Sequence, residues 1–326
     1  MKRMNTCRLA MATAATVLTG LLTGCGLGTA GGYVPSGELA GPLEGVKLEG
    51  AQISVGSKNF TEQIILGKMA LILFESAGAN TEDLTNVPGS NSVRMAMLEG
   101  IMDFQWEYTG TAWITYMGEV DPIPDQQEQY EAVRDVDLAE NGLVWTEPSE
   151  LNNTYALGMT AENSEELGIT NISDIQKVDE AQQTYCLDAE FASRNDGFEP
   201  MLEHYDLPPA PNDRRKLMDL GAIYQAIANE ECLFGEVFAT DGRIPALDLV
   251  VLEDDELYFP RYNLSGVIQE DLYHEYPQVE ELINALTERL DNETMARLNQ
   301  RVDVDGEEPA KVAWDFLLEE GFITEG

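Results

Sequence analysis

From residue 51 onward the chain alternates between two rhythms of apolar residues, one of period two and one of period three to four. Residues 52–55, Gln-Ile-Ser-Val, read as a strand, and 56–60 as the turn after it. Asn59 with Glu62 three residues on fits a helix-start capping box, and Ile64, Ile65, Met69, Ile72 and Leu73 supply one apolar face that ends at Gly78. A second short strand precedes Pro88-Gly89-Ser90-Asn91, and residues 93–98 form another helix. Met102 to Trp106 then alternates as a strand and runs into Glu107-Tyr108-Thr109-Gly110-Thr111. Tyr108 thus stands at a strand's carboxyl end, the edge where ligands bind in open α/β sheets, and Gly110 offers backbone angles closed to other residues.

The middle repeats the alternation with different residues. Stretches 155–159 and 184–187 read as strands, 197–205 and 222–229 as helices, and 232–238 as a strand that breaks at Thr240-Asp241-Gly242. A buried strand at 247–252 and another at 266–268 follow, and helices run to the end with Leu282, Leu286, Leu290, Met295, Leu298, Trp314, Leu317 and Leu318 turned inward. The pattern predicts an α/β fold with a mainly parallel sheet covered by helices on both faces. No internal repeat is visible.

The first 50 residues follow neither rhythm. Lys2, Arg3 and Arg8 precede an apolar run from Leu9 to Leu22 that is too short to span a bilayer, and Leu22-Thr23-Gly24-Cys25 follows. This resembles a lipoprotein signal over residues 1–24, with Cys25 acylated and left as the new N-terminus; the alternative is ordinary secretion with Cys25 incidental. Two or more acyl chains give stable membrane attachment. Residues 25–50, rich in glycine, read as a flexible linker reaching roughly 27 Å.

The remaining length suits one large or two medium domains with a sizeable core. With 19 Lys+Arg against 59 Asp+Glu, the formal charge of −40 becomes about −43 once the leader's three basic residues are removed. Nucleic acid is excluded as a partner at that charge, and a heavily acidic solvated surface explains most of it. Of four cysteines, Cys7 leaves with the leader and Cys25 is acylated, so Cys186 and Cys232 remain, either as two buried thiols or as a disulfide. Outside the membrane an even pair usually closes, and a 46-residue loop would be worth roughly 4 kcal/mol. With His204 and His274 isolated and no cysteine cluster, the sequence offers no transition-metal site and no nucleophile with a nearby base. No cofactor is expected.

Five stretches in order carry a family resemblance: Gly56-Ser57-Lys58-Asn59-Phe60-Thr61-Glu62-Gln63, Glu107-Tyr108-Thr109-Gly110-Thr111, Phe191-Ala192-Ser193-Arg194-Asn195-Asp196-Gly197, Thr240-Asp241-Gly242-Arg243 and Phe259-Pro260-Arg261-Tyr262. Over residues 51–321 the chain resembles the substrate-binding proteins of osmoprotectant ABC transporters, which carry glycine betaine, choline, carnitine or proline betaine. The resemblance implies a two-lobed type II periplasmic-binding-protein fold with the ligand in the interlobe cleft. Lobe 1 would comprise 51–156 plus 259–326 and lobe 2 would comprise 157–258, with chain crossings near Tyr155 and Tyr262.

A quaternary ammonium cannot donate a conventional N–H hydrogen bond, so aromatic faces suit it better than a polar socket. By motif position the family's aromatic box falls on Tyr108, Tyr155, Phe238 and Tyr262, with Phe238 where the family often has tyrosine. The alternative for each ring is core packing. The family's carboxylate clamp falls on Lys58, Thr111 and Arg194, and Asn91 on a turn where relatives vary a polar residue between betaine-type and choline-type sites. Glu107 and Asp241 read as structural. The function implied is a non-enzymatic, lipid-anchored, monomeric receptor outside the membrane that delivers quaternary ammonium solutes, glycine betaine first, to a permease. The alternatives are the same fold turned to another amine or to sensing, and an extracellular hydrolase.

Overall fold

The computed structural model describes residues 34–326, so the leader and Cys25 lie outside the described residues. Strands β2 (Gln52–Lys58), β3 (Asn80–Val87), β4 (Phe104–Tyr108), β5 (Leu143–Trp145) and β11 (Leu264–Gln269) form a first sheet in the order β3-β2-β4-β11-β5. β2 runs parallel to β3 and β4, whereas β11 is antiparallel to β4 and β5. A second sheet has the order β10-β6-β9-β7-β8, from β6 (Tyr155–Thr160), β7 (Tyr185–Leu187), β8 (Arg215–Leu217), β9 (Phe234–Phe238) and β10 (Leu249–Val251). Both sheets are therefore mixed, not mainly parallel, because β6 returns antiparallel to β9 and β10.

Two chain segments pass between the sheets, from β5 to β6 and from β10 to β11. They run side by side, with an antiparallel bridge at Asn152 and Asn263 and a bond from the Asn153 amide to the Tyr262 carbonyl at 3.2 Å. Paired crossings hold two sheet bodies together at one edge and leave a cleft between them.

Helix α1 (Thr61–Ser76) explains how the first body is stacked. Its residues from Ile65 to Phe74 are buried on every side, since the helix lies between the first sheet and the C-terminal helices Asn292–Asp303 and Pro309–Glu319. A helix apolar on nearly every side is what such a central position requires, and the buried Lys68 within it is paired with Asp83. Its start differs from the sequence reading. Phe60 is the N-cap, with no side-chain cap bond, and Glu62 is turned into the interior.

The expected linker also differs from residue 34 onward. β1 (Glu38–Leu39) pairs antiparallel with β12 (Ile323–Thr324), Leu43 and Leu48 are fully buried, and the Leu48 amide donates to the Ala77 carbonyl at 2.7 Å. These residues enter the core singly, so they leave no periodic signature. In the second body Cys186 on β7 and Cys232 are joined in a disulfide with Cα atoms 5.7 Å apart. Among the described residues no helix is long and apolar enough to cross a membrane.

Candidate functional site

Between the two sheets lies a cavity of about 1010 Å³, and five aromatic rings face it: Phe60, Tyr108, Tyr155, Phe238 and Tyr262. Sheet register accounts for part of the cluster. Tyr155 opens β6 directly opposite Phe238, which closes β9, and their centroids are 5.1 Å apart. Tyr262, on the second crossing, meets Tyr155 edge-on at 5.6 Å. Phe60, on the turn after β2, stands 5.1 Å from Phe238 and 6.3 Å from Tyr108. Gly110 is needed here for space. A Cβ on it would lie 2.7 Å from the Arg261 carbonyl oxygen and 2.8 Å from the Tyr262 ring, and its backbone is helical, not left-handed.

Two hydroxyls on these rings are anchored by carboxylates. Tyr262 donates to Asp196 Oδ2 at 2.6 Å and Tyr108 to Glu62 Oε1 at 2.7 Å. Burial pushes both phenols well above their ordinary range, reinforced by those nearby carboxylates, so each stays a neutral donor. Glu62 itself is buried and, among the described residues, forms no ion pair. It accepts from Tyr108 and Asn153 on one oxygen and from Thr240 and Asn299 on the other, at 2.6 to 3.2 Å. Burial raises its pKa from the carboxylate range, and the four donors oppose that rise. One carboxylate thereby joins α1, a crossing segment, the end of β9 and a C-terminal helix at the rim of the rings.

On the polar side Lys58 lines the cavity, with its Nζ 4.9 Å from the Tyr108 centroid and 2.5 Å from Glu107 Oε1. Tyr116 donates to the other Glu107 oxygen at 2.6 Å. Ser90, Thr111, Asp188 and Glu190 complete this wall. What the arrangement can do is hold a small cation against π faces in a desolvated space, with charged groups along one side.

The family described as the substrate binding domain of ABC-type glycine betaine transport systems matches residues 51–319. The chain belongs to that family. A glycine-betaine-binding protein of Pseudomonas aeruginosa is 39% identical over 282 residues, covering 84% of this chain and 89% of that one. An ergothioneine transport permease/ergothioneine binding protein of Helicobacter pylori is 30% identical over 275 residues; the match covers 83% of this chain and 48% of that protein. Among solved structures, a glycine betaine/carnitine/choline ABC transporter protein superposes with a TM-score of 0.68 at 26% identity, covering 82% of this chain and 97% of that one. The protein is thus the substrate-binding component of an ABC importer, working outside the cytoplasm.

In this substrate-binding protein the residues expected from the sequence are not all brought together. Tyr108, Tyr155, Phe238, Tyr262, Lys58 and Thr111 line one cavity. Arg194 does not. Its guanidinium lies 5.1 Å from the Tyr155 centroid, bonded through Nε and Nη2 to Asp196 at 2.7 and 2.6 Å and through Nη1 to Glu190 at 3.2 Å. Asn91 is exposed on α2 (Ser90–Leu98) and lies off the cavity, which Ser90 lines instead. Glu107, expected to be structural, sits against the cavity-lining Lys58 and matches its charge. Asp241 pairs with Arg243 at 2.5 Å. Phe60, Glu62, Asp188 and Glu190 were not foreseen as site residues. Phe60 and Glu62 lie within the same motif as Lys58, and Glu62 imitates a capping position; for Asp188 and Glu190 the sequence carried no signal.

Proposed function

We propose that the protein captures quaternary ammonium compatible solutes, glycine betaine foremost with choline, carnitine and proline betaine as further ligands, and hands them to its permease. The observation that carries this reading is the convergence of five rings on one cavity, two with hydroxyls pinned by buried carboxylates. Fixed ring faces attract a diffuse cation at about 0.5–2 kcal/mol each, whereas small hydrated ions lose too much on desolvation. The ligand's ammonium would rest among Tyr108, Tyr155, Phe238, Tyr262 and Phe60, and its other end would face Lys58, Thr111 and Ser90. Arg194 would act from behind Tyr155, and Asn91 would take no direct part.

The two bodies would close on the solute as lobes, with the first boundary just before β6 and not at residue 156, since Tyr155 already pairs with Phe238 in the second sheet. Attachment through acylated Cys25 would keep the monomeric receptor beside the permease. A second reading is favoured by the cavity's size. About 1010 Å³ stands at the upper end for small-molecule sites, and the relative named for ergothioneine supports a bulkier amine. Thermal unfolding in the presence of glycine betaine, choline, carnitine, proline betaine and ergothioneine tests both. A rise in midpoint with the first four supports the leading reading, a rise with ergothioneine alone supports the second, and no rise with any refutes both.

A further inference from the structure

The wall opposite the rings already holds a carboxylate belonging to the chain. Glu190 lies just after β7, on the second body, and reaches across the cleft to the start of α2 on the first. Its Oε2 accepts from the Ser90 amide at 3.0 Å, and its Oε1 accepts from the Ser90 hydroxyl at 2.5 Å and from Arg194 Nη1 at 3.2 Å. Burial alone would push this carboxyl up, but the charge of Lys58, the Ser90 bonds and Arg194 bring it below the ordinary range, so it is an anion.

Among the described residues the cations at the cavity are likewise matched from within the chain, and Arg243, which also lines it, is held by Asp241 through Nε and Nη2 at 2.9 and 2.5 Å. Lys58 is bonded to Glu107, and Arg194 is held by Asp196 through two nitrogens and by Glu190 through a third. Asp188, also on the wall, is pushed up by burial and by the adjacent Glu190, and Glu236 behind it is pushed up further by burial and by Asp188, which favours the neutral acid in both and leaves Glu190 as the anion of this wall. Lys58 and Arg194 thus face three paired carboxylates: Glu107, Glu190 and Asp196. A ligand that brings its own carboxylate meets the Glu190 anion at the donors it would need. A ligand that is a cation alone meets a favourable counter-charge.

We propose that Glu190 is a specificity-determining residue of this cleft: an internal carboxylate that fills the anion position and weighs against zwitterions relative to net cations. This rests on the quaternary ammonium reading above and refines it. Discrimination by a fixed like charge is a general device for separating ligands that share a recognised group. The effect has opposite sign for the two ligand classes, which loosened packing could not produce, since that would weaken both.

The test is calorimetric titration of the wild type and of Glu190→Gln with glycine betaine and with choline. Gln keeps the volume and an acceptor for Ser90 and removes the charge. Glycine betaine should bind the variant at least about ten-fold more tightly, and choline about three-fold or more weakly. Glu190→Ala should move the ratio of the two affinities in the same direction, so either variant that folds suffices. An unchanged ratio, or equal shifts for both ligands, would overturn the role of Glu190 and leave the quaternary ammonium reading standing. A wild type that binds neither ligand would overturn both.

Discussion

Replacing Tyr108 by phenylalanine separates the two duties that the structure gives this residue, a ring face for the ligand and a donor for Glu62. The ring is retained, and what disappears is one 2.7 Å hydrogen bond to a buried carboxylate. Three donors remain, from Asn153, Thr240 and Asn299. A hydrogen bond to a charged group is worth about 1.5–3 kcal/mol, which for a chain of this size corresponds to a fall of about 3–10 °C in unfolding midpoint. The loss should grow with pH. Glu62 has a raised folded pKa, so its contribution is complete below the unfolded carboxylate pKa and is lost as pH rises through the folded value. Removing a donor to the ionised form moves that folded value further up. Affinity for glycine betaine should change by no more than about three-fold, because the π face persists. Tyr108→Ala removes both duties, and its affinity should fall by about thirty-fold or more. Thermal unfolding between pH 5 and pH 9, with calorimetric titration of both variants, supplies the readouts. A Phe variant as stable as the wild type at every pH would refute the anchoring role, and an Ala variant with unchanged affinity would refute the ring's role.

Gly110→Ala places a methyl 2.7 Å from the Arg261 carbonyl oxygen and 2.8 Å from the Tyr262 ring, so the ring must shift. Overpacking of this kind costs about 1–3 kcal/mol in stability, and titration should show glycine betaine affinity reduced about ten-fold; wild-type affinity would exclude a precise ring position. Glu236 is buried with its Oε1 unpartnered, and burial together with Asp188 holds its pKa well above the carboxylate range. The sign follows from the raised value: its contribution is full at acid pH and is lost as pH rises through the folded pKa. Glu236→Gln should therefore match the wild type near pH 4 and exceed its unfolding midpoint increasingly toward pH 9, and a difference constant across that range would contradict the assignment.

The alternation of apolar residues was sufficient to place the principal strands and α1, because each presents a regular face to a core. It missed the antiparallel sense of β6 and β11, since a buried strand reads alike in either direction. It also missed residues 34–50, where Leu43 and Leu48 dock one at a time beside the β1–β12 pair. In the cleft, the rings were legible through motif positions at strand ends and crossings. The charges were not. Lys58 and Arg194 read as clamps for a ligand, with salt bridging in so acidic a chain as the alternative. Lys58 meets Glu107 from a distant strand, a pairing that leaves no local pattern, whereas Arg194 is held by Asp196 and Glu190 from its own stretch of chain, where spacing alone does not say whether the guanidinium turns to its neighbours or to a ligand. Glu62 shows the converse, since a local spacing suited to a helix cap concealed a buried carboxylate that serves four segments.

The central claim is that aromatic faces hold a quaternary ammonium, and glycine betaine compared with glycine isolates that group. The two share a carboxylate and differ in the three methyls on nitrogen, which remove every N–H donor. Titrated into the protein begun at Gly26, glycine betaine should bind in the micromolar range and glycine should give no measurable heat of binding. Equal affinity for the two, or binding of glycine alone, would contradict the account.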